Sequence, residues 1–141
     1  MTDNRRIDRL VAEHVMGLRI YHYDKDHADS CYYMLVDENC DYAGDDFGRH
    51  AGERDSEADA WEKDCPYYSS EISAAWEVVE KLTDGHRRAV EVGNGHSSWW
   101  WCNVSRPEPD SHGCTHYDLT KADTAPLAIC LAALKAKGIA V

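Results

Sequence analysis

Apolar residues recur at helical spacing in three segments, and each recurrence predicts an amphipathic helix. The first helix runs from about Asp3 to Met16, the second from Ser70 to Thr83, and the third begins after Asp123. The predicted core positions are Ile7, Leu10, Val11 and Val15 in the first helix, Ile72, Ala75, Trp76, Val79 and Leu82 in the second, and Leu127, Cys130, Leu131 and Leu134 in the third. The predicted capping residues are Ser69 or Ser70 for the second helix and Asp123 or Thr124 for the third.

Segments of strand-like composition lie between the predicted helices. They are Leu18–Tyr23, Tyr32–Val36, Arg87–Val92, Ser98–Val104 and Cys114–Leu119. The glycines of Gly93-Asn94-Gly95 predict a turn after the third of these segments. The pattern therefore predicts a single α+β domain over residues 1–141, in which three amphipathic helices flank a mostly antiparallel sheet.

The negative charge is concentrated in one segment. The 141-residue chain has a net charge of −11, and the stretch from Asp24 to Asp64 has fourteen acids and four basic residues, which is −10. Few apolar residues occur from Asp37 to Asp64, so this part is predicted to be a long acidic loop inserted in the domain. Such a surface disfavours direct binding to duplex nucleic acid, because phosphate contacts need cations.

The chain shows no pattern of a membrane or secreted protein. The longest apolar run, Ala125–Leu134, contains a proline and is too short to span a bilayer. The charged residues near the N-terminus are not followed by the apolar stretch of a secretory signal. We therefore expect a protein of the cytoplasm, in which its six cysteines are thiols rather than disulfides.

Two helical segments resemble a known family. They are Tyr68–Leu82, with the sequence YSSEISAAWEVVEKL, and Ala122–Lys135, with the sequence ADTAPLAICLAALK. Together with the first helix, which ends in Val15-Met16-Gly17, they resemble the phage ABA sandwich domain, a family of small phage and prophage proteins. The resemblance implies an αβα sandwich and a phage origin, and hence the host cytoplasm as the place of action. It transfers no catalytic residue.

One cluster of residues suggests a metal site. His112, Cys114 and His116 alternate along the approach to the last strand, so that their side chains lean to one side, and Cys102 lies on the preceding strand. Zinc prefers nitrogen and sulfur ligands of this kind. The chain has no Cys-x-x-Cys pair, however, and such residues on strands commonly serve packing, so that no cofactor is the expectation and zinc the alternative.

The three consecutive tryptophans suggest a small-ligand site. On a strand, Trp99 and Trp101 face one side and Trp100 faces the other. If the exposed ring is Trp100, it stacks a nucleobase, and the residues predicted to meet the phosphates are Arg87, Arg88 and Arg106. The alternative is that all three rings pack within a sheet covered on both faces.

No catalytic signature such as G-x-S-x-G or H-E-x-x-H is present, so we expect a protein that is not an enzyme. The charge asymmetry favours a phage inhibitor that binds a basic host protein, plausibly a defence factor. The residues predicted to make this contact are Asp37, Glu38, Asp41, Tyr42, Asp45 and Asp46. The alternatives are an oligomeric sponge for a signalling nucleotide and a structural or regulatory phage domain without a defence role.

Overall fold

The computed structural model describes residues 3–23, 31–37, 52–84, 88–95, 99–105 and 117–141, which contain four helices and five strands. The elements in chain order are α1 (Asp3–His14), β1 (Arg19–Tyr23), β2 (Tyr32–Val36), α2 (Glu57–Asp64), α3 (Ile72–Thr83), β3 (Val90–Asn94), β4 (Trp100–Ser105), β5 (Tyr117–Ala122) and α4 (Ala125–Ala136). The predicted α+β class is confirmed.

The described strands form two antiparallel sheets rather than one. β1 pairs with β2, and β3, β4 and β5 form a second sheet in that order. In the three-stranded sheet, Trp101 lies between Gly93 on one side and Lys121 on the other. This register decides which side chains share a face, because alternate residues of a strand point to opposite sides.

Helix α4 lies between the three-stranded sheet and the helices α1 and α3. The sequence predicts one apolar stripe for it, but six of its residues are buried: Ala128, Ile129, Cys130, Ala132, Ala133 and Leu134. The single stripe is therefore too narrow a prediction, because a helix between two layers needs apolar residues on opposite sides. Its predicted cap is confirmed, since the Thr124 hydroxyl accepts a hydrogen bond from the Leu127 N–H at 3.3 Å. The helix ends before Gly138, whose φ of +76° is the left-handed conformation that glycine tolerates best.

We expect Thr124→Ala to lower the free energy of unfolding by about 1 kcal/mol, because the N–H at the start of α4 loses its acceptor. Denaturant titration measures this change. Thr83→Ala is the matched control, since the Thr83 hydroxyl donates to the Val79 carbonyl within α3 and caps no N-terminus. An equal loss in both variants would contradict a capping role for Thr124.

Helix α2 corrects the prediction that Asp37–Asp64 is a loop. Ser56 caps it by accepting from the Asp59 N–H at 3.1 Å, and Trp61 is buried. Arg54 joins the helix to the first sheet, because its backbone forms a bridge with Tyr33 while its guanidinium binds both oxygens of the Asp64 carboxylate at 2.8 and 2.6 Å. This hydrogen-bonded carboxylate raises the pKa of Arg54.

Hydrogen bonds from the Arg5 side chain link α1 to the C-terminal end of α2. Its guanidinium donates to four carbonyls there, at 3.3 Å to Trp61, 2.9 Å to Glu62, 3.0 Å to Cys65 and 3.4 Å to Pro66. It also donates at 2.8 Å to the carboxylate of Asp8, which is fully buried and accepts a second hydrogen bond at 2.7 Å from the backbone N–H of Ser69. Carbonyls at a helix C-terminus lack partners within the helix, and a cation is favourable there.

Two residues of α3 that the sequence assigns to the core are exposed in the structure. Ile72 is 55% exposed and Trp76 is 52% exposed, whereas the buried residues are Ala75, Val78, Val79 and Leu82. The helix packs against the alanine-rich α4, which short and branched side chains can approach more closely than an indole. The predicted serine caps are also wrong, because Glu71 is the N-cap and its side chain makes no capping hydrogen bond.

Candidate functional site

Two tryptophans lie on the face of the three-stranded sheet that points away from α4. Cys102 and Val104 of β4 are buried in the core that includes α4, so the alternate residues Trp101 and Asn103 face the other side. Trp99, just before β4, shares that side and pairs through its backbone carbonyl with the Gly95 N–H at 2.9 Å. The predicted split of the three tryptophans between two faces agrees with this arrangement.

Two glycines allow these indoles to lie against the neighbouring strand. A Cβ atom added at Gly93 would lie 2.2 Å from the Trp101 ring, and one added at Gly95 would lie 2.3 Å from the Trp99 ring. Both distances are far below van der Waals contact, so any larger residue would displace an indole. Gly93 and Asn94 belong to β3 rather than to the predicted turn, and a glycine in a strand permits such close packing across the strands.

The indoles line an open depression of about 300 Å³ together with Asn103, Leu119 and Lys121. We call these five residues the tryptophan platform. The Lys121 ammonium lies 4.7 Å from the centroid of the Trp99 ring, which is a cation–π contact. Leu119 is 48% exposed, and the Asn103 Oδ1 has no hydrogen-bond partner within the described part of the chain.

The three tryptophans are all half-buried, but they lie on different faces of the sheet. Trp100 packs against the core on the α4 side, and Trp99 and Trp101 line the open depression instead. The alternation of a strand cannot show which face the helices cover, and the predicted ligand-binding role of Trp100 stays a prediction. Of the arginines predicted to accompany it, Arg88 is half-buried with an Nη1 that has no partner among described residues. Arg87 and Arg106 lie outside the described residues.

A second surface combines apolar and acidic side chains on α3. Ile72, Trp76 and Glu80 follow one another at intervals of four residues, and Ser73 and Glu77 form the adjacent row; all five are exposed. We call these five residues the α3 face. Between Glu71 and Asp84 the chain has four acids and one lysine, so the field around Trp76 is negative.

An acidic depression continues the α3 face toward the end of α1. It has a volume of about 600 Å³ and is lined by Met16, Glu77, Glu80, Lys81, Thr83 and Asp84. Three of these six residues are carboxylates. The depression can therefore accept a basic side chain beside the exposed indole of Trp76. Sequence reasoning missed this surface because it assigned Trp76 to the core.

The acidic residues predicted to contact a partner fall mostly outside the described ranges. Asp37 follows β2, whereas Glu38, Asp41, Tyr42, Asp45 and Asp46 are not among the described residues, so their role stays a prediction. In the described part of the acidic segment, Glu53, Asp55, Glu57 and Glu62 are exposed.

The proposed metal cluster also stays a prediction. Cys102 is fully buried on the α4 side of the sheet, where burial raises the pKa of its thiol to about 12. His112, Cys114 and His116 lie outside the described residues, and the described ranges contain no group of three metal-ligating side chains. A pair that the sequence did not predict lies at the first sheet, where the His22 Nε2 is 2.9 Å from the Cys31 Sγ.

The described helices and strands define an α+β domain with two small antiparallel sheets. The chain matches the profile of the phage ABA sandwich domain over residues 9–134, and it therefore belongs to that family. It is also similar in fold to a phage protein from Bacillus cereus ATCC 14579, known from a 2.0 Å crystal structure. That similarity has a TM-score of 0.56 at 24% identity and covers 100% of this chain and 93% of the other. No curated protein sequence matches the chain.

The family match supports a phage accessory-type domain, and the structural similarity supports the fold. Among the helices that the structure describes, none has the length and apolar character needed to cross a membrane.

Proposed function

We propose that this protein is a non-enzymatic phage inhibitor that binds a basic host protein, with the α3 face as its docking surface. The observation that carries the proposal is Trp76, which is 52% exposed on a helix whose neighbouring exposed positions include Glu77 and Glu80. A large exposed indole is the side chain most often found at the energetic centre of a protein interface.

The charges of the α3 face select the partner. The acidic depression beside Trp76 accepts lysine or arginine side chains, and its carboxylates repel an acidic surface. The acidic segment from Asp24 to Asp64 adds a net charge of −10, which extends the negative field beyond the contact and speeds the approach of a basic partner.

In this proposal the phage protein acts by occupying a surface of the host protein, and no chemical step is involved. A basic host surface that normally contacts nucleic acid would meet carboxylates in place of phosphates, and the host protein would be blocked in the host cytoplasm. A defence factor that binds nucleic acid fits this description. The finding of a phage family supports such a role, because an accessory protein of this size can act by masking a host surface.

The test compares variants in affinity capture from host extract, followed by reconstitution with the captured protein in purified form. We expect Trp76→Ala to weaken that complex by about 30-fold, which is typical of an interface hot spot. Glu77→Gln/Glu80→Gln should weaken it and reduce its dependence on salt concentration. Because Trp76 is exposed, its removal should change the melting temperature little.

The matched control is Glu53→Gln/Glu62→Gln, which removes two exposed carboxylates from the segment around α2. It should weaken the complex much less than Glu77→Gln/Glu80→Gln does, because these two residues contribute only to the long-range field and not to the contact. In the purified complex, the host protein should also no longer bind nucleic acid. The proposal is wrong if Trp76→Ala and the control bind equally well, or if binding is undiminished at high salt.

A further inference from the structure

The tryptophan platform has features that the proposed host-protein contact does not use. The Trp101 indole reaches from β4 across Gly93 of β3, and the Trp99 indole, just before β4, reaches across Gly95, just after β3. In each case several ring atoms lie within 3 Å of the position where a Cβ would stand. Each indole therefore packs directly against the glycine that it contacts. Both indoles also line the open depression.

This geometry favours a flat ligand. Two indoles line the depression, and aromatic side chains of this kind stack flat bases with little regard to the identity of the base. The depression of about 300 Å³ is at the lower end of the sizes seen for small-molecule sites, which suits one nucleotide better than an extended chain. Asn103 lines the same depression, and its buried Oδ1 has no hydrogen-bond partner among the described residues.

The charge at the platform decides between cationic and anionic ligands. Indole faces attract cations, but the Lys121 ammonium already occupies that position over Trp99, at 4.7 Å from the ring centroid. A second cation would be repelled by it. Lys121 is also the direct cross-strand neighbour of Trp101, so a base on Trp101 would place an attached phosphate within reach of the ammonium.

We propose that the tryptophan platform binds a nucleotide, with the base stacked on Trp101 and a phosphate paired with Lys121. Binding is independent of the α3 face, since it uses the side of the three-stranded sheet away from α4. A protein with this site could sequester a nucleotide in addition to masking a host protein.

The experiment titrates the full chain with adenosine 5′-monophosphate, guanosine 5′-monophosphate, 3′,5′-cyclic AMP, adenosine and inorganic phosphate, and follows binding by calorimetry and tryptophan fluorescence. We expect at least one nucleotide to bind and to quench the fluorescence, adenosine to bind more weakly than its monophosphate, and phosphate alone not to bind. Trp101→Ala should weaken nucleotide binding at least tenfold, because base stacking on an aromatic ring is lost. Lys121→Gln should weaken nucleotide binding but leave nucleoside binding nearly unchanged.

Two further variants test whether the nucleotide binds at the tryptophan platform. Gly93→Ala keeps every aromatic residue but displaces the Trp101 indole, so it should weaken nucleotide binding as Trp101→Ala does. Trp76→Ala is the matched control, because it removes an exposed tryptophan from the α3 face and should leave nucleotide affinity unchanged. The two sites use different residues, so a failure of nucleotide binding at the tryptophan platform would not bear on the host-protein contact. Melting curves establish that each variant folds.

The proposal is overturned if no nucleotide binds at millimolar concentration, or if Trp101→Ala binds as tightly as the unchanged protein. It is also overturned if phosphate alone binds as well as the nucleotides, since stacking then contributes nothing. Sedimentation adds a further check. A dimer that dissociates on Trp101→Ala would show that a second copy of the chain occupies the platform, and would equally overturn the proposal.

Discussion

Replacing Arg5 by alanine should lower the free energy of unfolding by about 3–5 kcal/mol, the cost of leaving a buried carboxylate without its cation. The Asp8 side chain is 1% exposed, and the Arg5 guanidinium at 2.8 Å is its ion-pair partner. The same substitution removes the donors that Arg5 directs to the carbonyls of Trp61, Glu62 and Cys65 at the end of α2. Denaturant titration measures the loss as a shift of the unfolding midpoint.

Two controls test whether the loss arises from this network. Arg6→Ala removes an exposed arginine from the same turn of α1 and should change stability by less than about 0.5 kcal/mol. Asp8→Asn keeps the shape of the buried side chain but not its charge, and should cost less than Arg5→Ala because no isolated charge remains. Equal losses in Arg5→Ala and Arg6→Ala would refute the network.

The sequence predicts α1 well because only one side of that helix is buried. The positions predicted for its core include Ile7, Val11 and Val15, and all three are buried in the structure. A single apolar stripe identifies the buried side only in this situation. In α3 apolar residues occur around most of the helix, so periodicity could not distinguish the buried Val78 from the exposed Trp76.

The composition of the acidic segment predicts a loop and gives no indication of helix α2. Half of the eight residues of α2 are acids, and its stability depends on contacts distant in sequence. Arg5 lies more than fifty positions before the carbonyls it binds, and the Arg54 backbone pairs with Tyr33 of β2. No local pattern reports such contacts, which explains why the sequence of this region predicts a loop.

For the tryptophan platform, the sequence predicts the alternation but not the side. The period of a strand separates Trp100 from Trp99 and Trp101 without any knowledge of the fold. The identity of the open face depends on where α4 packs, which is a tertiary property. The platform also needs Gly93 and Gly95 opposite the indoles, and this register is visible only once β3 and β4 are paired.

We expect the buried thiols to make the fold sensitive to alkaline pH. Burial raises the pKa of Cys65 and of Cys102 to about 12, from an ordinary value of 9.0, and raises the pKa of Cys130 as well. Deprotonation is therefore easier in the unfolded chain than in the folded one. The stability that the neutral thiols contribute is fully present below about pH 9 and is lost as the pH rises from there toward the folded-state values.

Each pH unit in this window costs about 1.4 kcal/mol per buried thiol, so the three together should lower the free energy of unfolding by about 4 kcal/mol at pH 10. Denaturant titrations at pH 8, 9 and 10, with a reductant present, measure this slope. Cys102→Ala lowers stability at every pH through the cavity it leaves, but its slope between pH 9 and 10 should be about one third smaller. If that variant keeps the full slope, Cys102 does not contribute to the alkaline loss of stability. If the free energy of unfolding of the unchanged protein does not fall between pH 8 and pH 10, none of the three thiols has the expected effect.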